Sequence, residues 1–161
     1  DTVSKSYNLT HTEIFNPTEE KRILISINEC LSNIKSAENR LPRVLDFGAG
    51  TGNLTNHLLK LGVNVVASDV STLSLAYLKS MHVGNGNLEI FNLNGNNLSE
   101  FADNSFDMIS TYSVLHHVPD YLMIIQEFLR VLKPGGIIYI DHEACPNYWE
   151  PSNHYKKYMQ K

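Results

Sequence analysis

The run Val44-Leu45-Asp46-Phe47-Gly48-Ala49-Gly50-Thr51-Gly52 carries the strongest chemical signal in the chain. Val44 and Leu45 read as a short buried strand, which ends in a carboxylate followed by glycines at alternate positions. Glycine adopts backbone angles that other residues avoid, and its missing side chain lets a ligand lie against the main chain. A strand that opens into such a loop and then a helix, here Asn53 to Leu61, is the nucleotide-binding corner of an open α/β sheet. The charge of the loop narrows the ligand. A dinucleotide would set its pyrophosphate over the glycines, held by backbone N–H groups and the positive end of the helix. Asp46 would oppose that anion. The spacing agrees, because a dinucleotide fingerprint counted from Gly48 needs Gly or Ala at position 53, where the chain has Asn53. The loop suits a ligand with positive charge and no phosphate.

Three more segments follow in order. Val66-Ala67-Ser68-Asp69-Val70-Ser71 is a strand ending in an acid, Asp103-Asn104-Ser105-Phe106-Asp107-Met108-Ile109 leads into a strand, and Leu129-Arg130-Val131-Leu132-Lys133-Pro134-Gly135-Gly136 is a helix-to-strand turn. With the glycine loop, they resemble the motifs of the class I S-adenosylmethionine-dependent methyltransferases, especially the small-molecule enzymes, over roughly residues 40–142. The resemblance implies a Rossmann-like, doubly wound α/β fold: a mainly parallel sheet of strand order 3-2-1-4-5 with helices on both faces. It implies S-adenosylmethionine as cofactor, S-adenosylhomocysteine as product and methyl transfer to a small molecule by in-line displacement. Cofactor contacts then fall to Asp46, Gly48, Ala49, Gly50, Asn53, Asp69, Val70, Asn94, Gly95 and Tyr112.

Asp69 ends the second strand, where ligands of open α/β sheets bind and where an acid can accept both ribose hydroxyls. The competing role, capping the next helix, falls to Ser71. Asn94 stands where the family commonly has an aspartate that accepts from the adenine amino group; asparagine keeps one acceptor oxygen and loses the charge. The Gly95 amide is a donor for a ring nitrogen. Thr111-Tyr112-Ser113-Val114-Leu115-His116-His117 follows the fourth strand, where the family places its methyl-transfer pocket. Tyr112 replaces the Asn of the Asn-Pro-Pro-Tyr tetrad found in amide methyltransferases, which argues against adenine N6 or glutamine as acceptor. No catalytic residue is fixed by the sequence, but Tyr112 and His117 are the candidates on the substrate side. Adjacent histidines in a helix point about 100° apart and rarely share a ligand. With no acid-rich set beside His116 and His117, no metal site is expected. Packing is the expected role of both, with general base for His117 as the sharper alternative.

The elements that must hold these residues alternate. Asn16-Pro17-Thr18-Glu19 reads as an N-cap, a first-turn proline and an acid, and Ile23, Ile27, Leu31 and Ile34 then recur at helical spacing through about Ala37. Strands are expected near 43–47, 63–68, 88–91, 106–111 and 137–141, and helices near 53–61, 71–80 and 119–132, with Ser71 an N-cap and Pro119 a first residue. This alternation implies a parallel sheet covered on both faces. The chain reads as one cofactor-binding domain over 1–161, C-terminally incomplete against the family's seven strands, with 1–37 a helical cap. Acceptor recognition is expected from Tyr7, His11 and Phe15 and from residues 143–161, where Tyr148, Trp149, Tyr155 and Tyr158 either close over a substrate or pack a terminal segment.

Composition supports this reading. The chain has 161 residues, a net charge of −4 and 42% hydrophobic residues. Its pI near 5.9 lacks the basic footprint of a nucleic-acid binder. No run approaches the about 20 apolar residues of a membrane span, and no leader is evident. Cys30 and Cys145 lack metal-ligand spacing and read as reduced thiols of a cytoplasmic protein. Oligomeric state is not legible. Two other functions stay open: a NAD-dependent oxidoreductase, which Asp46 and Asn53 oppose, and a cofactor-binding but catalytically silent partner subunit, with which Asn94 and the short C-terminus agree.

Overall fold

The computed structural model describes residues 15–34, 40–95 and 97–143. Helix α1 (Pro17–Asn33) begins where the Asn16 Oδ1 accepts from the Thr18 and Glu19 amides, at 3.1 and 3.0 Å. That cap satisfies two of the orphan donors of the first turn, and Pro17 has none to satisfy. Ile23 and Ile27 are its buried face. Spacing alone carries the helix to Ala37, but it ends at Asn33, where Ile34 turns extended (φ −76°, ψ 121°). Apolar spacing marks a buried face and not the end of a hydrogen-bond ladder. Ile34 packs on the core from outside the helix.

From there the chain alternates: β1 (Arg43–Phe47), α2 (Asn53–Lys60), β2 (Asn64–Asp69), α3 (Thr72–Met81), β3 (Leu88–Asn92), β4 (Phe106–Tyr112), a 3₁₀ turn (Leu115–His117), α4 (Tyr121–Val131) and β5 (Leu132–Asp141). Ser71 caps α3 as expected, accepting from the Ser74 amide. Pro119 does not open α4; Asp120 caps it through its side chain (3.1 Å from the Met123 amide), and the helix starts at Tyr121. An aspartate supplies the acceptor that the first turn needs, so it sets the boundary. β5 begins at Leu132, ahead of the expected 137. Leu132 pairs with Phe106, then the register shifts so that Ile137 pairs with Met108. The Pro134-Gly135-Gly136 turn thus lies within an irregular strand.

The five strands lie in the order β3-β2-β1-β4-β5 with all neighbouring pairs parallel. Leu45, Phe47 and Ile109 face α4, where the Phe47 and Phe128 rings meet edge to face at 5.1 Å. Val44 and Met108 face the other way, onto Ile23 and Ile27 of α1 and Leu54 and Leu58 of α2. β1 is flanked by β2 on one side and β4 on the other, so the winding reverses between β1 and β4. The C-terminal end of β1 is therefore the topological switch point, where open sheets leave a crevice.

Candidate functional site

The loop after β1 is pinned to the end of β2. Gly48 and Ala49 both donate to the Ser68 carbonyl at 2.9 Å, and the Gly50 amide donates to Asp69 Oδ2 at 2.8 Å. The glycines serve different ends. A Cβ on Gly48 (φ +73°) would lie 2.4 Å from Val114 Cγ2, so this position is closed by packing. At Gly50 (φ +53°) a Cβ would meet no atom within 4 Å. One glycine lets the 3₁₀ segment approach; the other leaves a bare backbone face open.

That face is part of a cavity of about 560 Å³ at the C-terminal ends of β1, β2 and β4. All ten residues expected to contact a cofactor line it: Asp46, Gly48, Ala49, Gly50, Asn53, Asp69, Val70, Asn94, Gly95 and Tyr112. His117 lines it too, as do Phe15, Ser74, Val114 and Val118. No Lys or Arg is among the described residues of the lining. The Asn53 Nδ2 is buried, with no partner among the described residues, a donor available to a ligand. Asp69 is partly committed, since its oxygens accept from the Gly50 and Ser71 amides at 2.8 Å each. A carboxylate offers about four lone-pair positions, so ribose hydroxyls and loop anchoring are not exclusive. Asn94 sits in a turn in which its Oδ1 accepts from the Asn97 amide at 3.4 Å.

Asp46 lies under the loop, 1% exposed, accepting from Thr55 Oγ1 at 2.5 Å. Burial pushes its carboxyl up to about 7, against the pull of the Thr55 hydrogen bonds. Tyr112 lines the cavity, but its hydroxyl donates to Glu19 Oε1 of α1 at 2.9 Å. Arg22 joins Glu19 to Asp141 of β5, at 2.5 and 2.7 Å. Burial and the Glu19 carboxylate drive the Tyr112 phenol well above its usual range, so it cannot supply a phenolate base at neutral pH. Tyr112 thus serves as wall and tie.

The histidines depart from the sequence reading in their backbone: they sit in a 3₁₀ turn and not an α-helix, and their ring centroids are 4.0 Å apart. A single acid lies beside them, Glu143, whose Oε2 is 2.7 Å from His116 Nδ1. Glu143 is distant in sequence, so neither spacing nor periodicity could have revealed it. Among the described residues, no cluster of His, Cys, Asp or Glu is placed to hold a metal ion. Tyr7, His11, Cys145, Tyr148, Trp149, Tyr155 and Tyr158 lie outside the described residues.

An open parallel sheet with a glycine loop and a β2-terminal acid at its switch point defines a Rossmann-like, ligand-binding α/β domain. The methyltransferase domain family matches residues 45–140, and the chain belongs to it. It is 33% identical over 99 residues to a ubiquinone biosynthesis O-methyltransferase of Paracidovorax citrulli, covering 60% of this chain and 42% of that one. A demethylmenaquinone methyltransferase of Clavibacter sepedonicus is 32% identical over 151 residues, covering 91% of this chain and 57% of its own length. The chain thus spans about half the length of these relatives. In structure it is similar to a proposed S-adenosyl-L-methionine-dependent methyltransferase from Methanococcus maripaludis, with a TM-score of 0.68, 22% identity and coverage of 85% of this chain and 61% of that one. That likeness shows the shared fold.

Proposed function

We propose that this chain binds S-adenosylmethionine in the cavity above β1 and transfers its methyl group to a small-molecule acceptor. The observation that carries the reading is the lining itself. The open Gly50 backbone is tied to the Asp69 carboxylate, the buried Asp46 carboxyl also borders the cavity, and no described lining residue is cationic. Such a surface repels a pyrophosphate and favours a ligand with an ammonium or sulfonium group. The reading assigns Asp69 to the ribose hydroxyls, Asn94 and Gly95 to the adenine edge and the unpartnered Asn53 amide to the amino-acid end. When bound, the cofactor supplies an activated methyl group open to in-line displacement by an O, N or C nucleophile. The protein's part is then mainly positioning, an effect that reaches about 7–11 kcal/mol for well-oriented reactants. Phe15, Val114, Val118 and His117 wall the remaining space, and His117 is the group available to take a proton from an acceptor not already ionised. One relative is named a ubiquinone biosynthesis O-methyltransferase and another a demethylmenaquinone methyltransferase, so hydroxylated aromatic rings lead the panel of acceptors to assay.

Thermal unfolding tests the cofactor. A ligand that binds only the native state stabilises it by about 2.7 kcal/mol at 100 times its Kd. For a domain of this size that is a rise in Tm of about 5 °C or more with S-adenosylhomocysteine, and none with NADH. A shift with NADH alone would overturn the reading in favour of the oxidoreductase. Binding of S-adenosylhomocysteine without turnover across a broad metabolite panel would favour the silent partner subunit.

A further inference from the structure

We infer that Glu143 is a positioning residue for the cofactor cavity, acting through the turn that seats Val114 on Gly48; this rests on the function proposed above. The carboxylate gathers the turn's free donors. Its Oε1 accepts from the Val114 and Leu115 amides at 2.8 Å each, and its Oε2 accepts from the His116 amide at 3.2 Å and lies 2.7 Å from His116 Nδ1. These amides begin a single 3₁₀ turn, Leu115–His117, which is too short to hold its own shape. Burial alone would raise the Glu143 carboxyl, but the His116 and amide hydrogen bonds hold it below the usual range.

The surrounding backbone shows that the arrangement is imposed. Ser113 (φ 59°), leaving β4, and His142 (φ 54°), leaving β5, are both left-handed without being glycine. Such conformations persist where neighbouring contacts over-determine them. Here the contacts are the Ser113 amide on the Asp141 carbonyl (3.0 Å), His142 Nδ1 against Ser113 Oγ (3.3 Å) and the His142 ring stacked on Tyr112 at 5.0 Å. Residues 141–143 strap the exit of β4 to the exit of β5. The strap matters to the cavity because Val114, held by Glu143, occupies the space a Gly48 side chain would need. The contact between strap and glycine loop therefore passes through one methyl-bearing side chain. Releasing the carboxylate frees Val114 to lift from Gly48 and opens a wall of the cavity, with the Gly50–Asp69 anchor untouched.

Calorimetry with S-adenosylhomocysteine, run well below each variant's Tm, tests this. Glu143→Ala should bind about 10-fold more weakly than wild type. Glu143→Gln keeps an acceptor for the Val114 and Leu115 amides and should recover most of the affinity. Val114→Ala should also bind weakly, and the double variant Glu143→Ala/Val114→Ala no more weakly than Val114→Ala alone, because coupled residues are non-additive. A purely structural Glu143 would lower Tm and leave affinity within about twofold of wild type, or would add fully to Val114→Ala; either result overturns the inference. If wild type itself fails to bind S-adenosylhomocysteine, the cofactor reading falls, and the inference with it. If only the variants behave as wild type, the inference falls alone.

Discussion

At Gly50 no atom of the described residues lies within 4 Å of where a Cβ would stand, and under the proposed function that open backbone face belongs to the cofactor. Gly50→Val should therefore abolish S-adenosylhomocysteine binding in calorimetry. Circular dichroism should still show a folded protein, with Tm lowered only by the strain of a β-branched residue at φ +53°. A folded Gly50→Val protein with wild-type affinity would mean that the cofactor does not cross this loop. Asp46 makes a second prediction. Its carboxyl is held at about 7 by burial, so a ligand ammonium nearby favours the ionised form. Affinity for S-adenosylhomocysteine should rise about tenfold from pH 6 to 8, the span over which such an acid ionises. In Asp46→Asn that slope should vanish. The sign follows from the charge: above 7 the carboxylate attracts the cation, and below 7 the neutral acid does not.

Among the elements, α1 is placed on the sheet by polar ties as well as core packing. Ile23 and Ile27 bury it, while Glu19 and Arg22 reach Tyr112 on β4 and Asp141 on β5. This matters to function because Phe15, just before the helix, lines the cavity. Tyr112→Phe deletes one bond of this tie and leaves Glu19 on Arg22. Denaturant unfolding should show a loss of about 1.5–3 kcal/mol, the usual worth of a hydrogen bond to a charged group. Cofactor affinity should change little, because the hydroxyl is committed to Glu19 and not to the cavity. A large loss of affinity at unchanged stability would instead place that hydroxyl on the ligand.

At the scale of the whole molecule, the irregular stretch before β4 is held by an ion pair on α4. Between β3 and β4, Arg130 donates to the Leu98 and Phe101 carbonyls and to Glu127, which in turn accepts from the Leu98 amide. Arg130 holds the Glu127 carboxyl at about 2, and Arg22 does the same for Glu19. Both folded values lie below the ordinary 4.5, so this stability is present above pH 4.5 and drains as pH falls toward about 2. Asp46 has the opposite sign. Its folded value lies above the ordinary 3.8, so between 3.8 and about 7 the native state holds the extra proton and loses stability as pH rises. Urea titrations across pH should thus show a steep acid limb below 4.5, flattened in Glu127→Gln. A gentler decline toward 7 should be absent from Asp46→Asn.

The sequence by itself determined the parallel sheet and its strand positions to within a residue or two for β1 to β4, while the set of residues lining its switch point came from the resemblance to the family. Those features are local: alternating apolar runs, glycines at a strand end, and caps such as Asn16 and Ser71 report on a few neighbouring residues. Tertiary structure decided what depends on contacts between distant segments. It made Gly48 a packing glycine and Gly50 an open one, a distinction set by where Val114 lies. It committed the Tyr112 hydroxyl to α1 and brought Glu143 onto a turn 27 residues away in sequence. It stopped α1 at Asn33 and moved the start of β5, because core packing and pairing with β4 override periodicity at element ends. Burial, which no residue carries in its own type, turned Asp46 from an ordinary carboxylate into a group that titrates near neutrality.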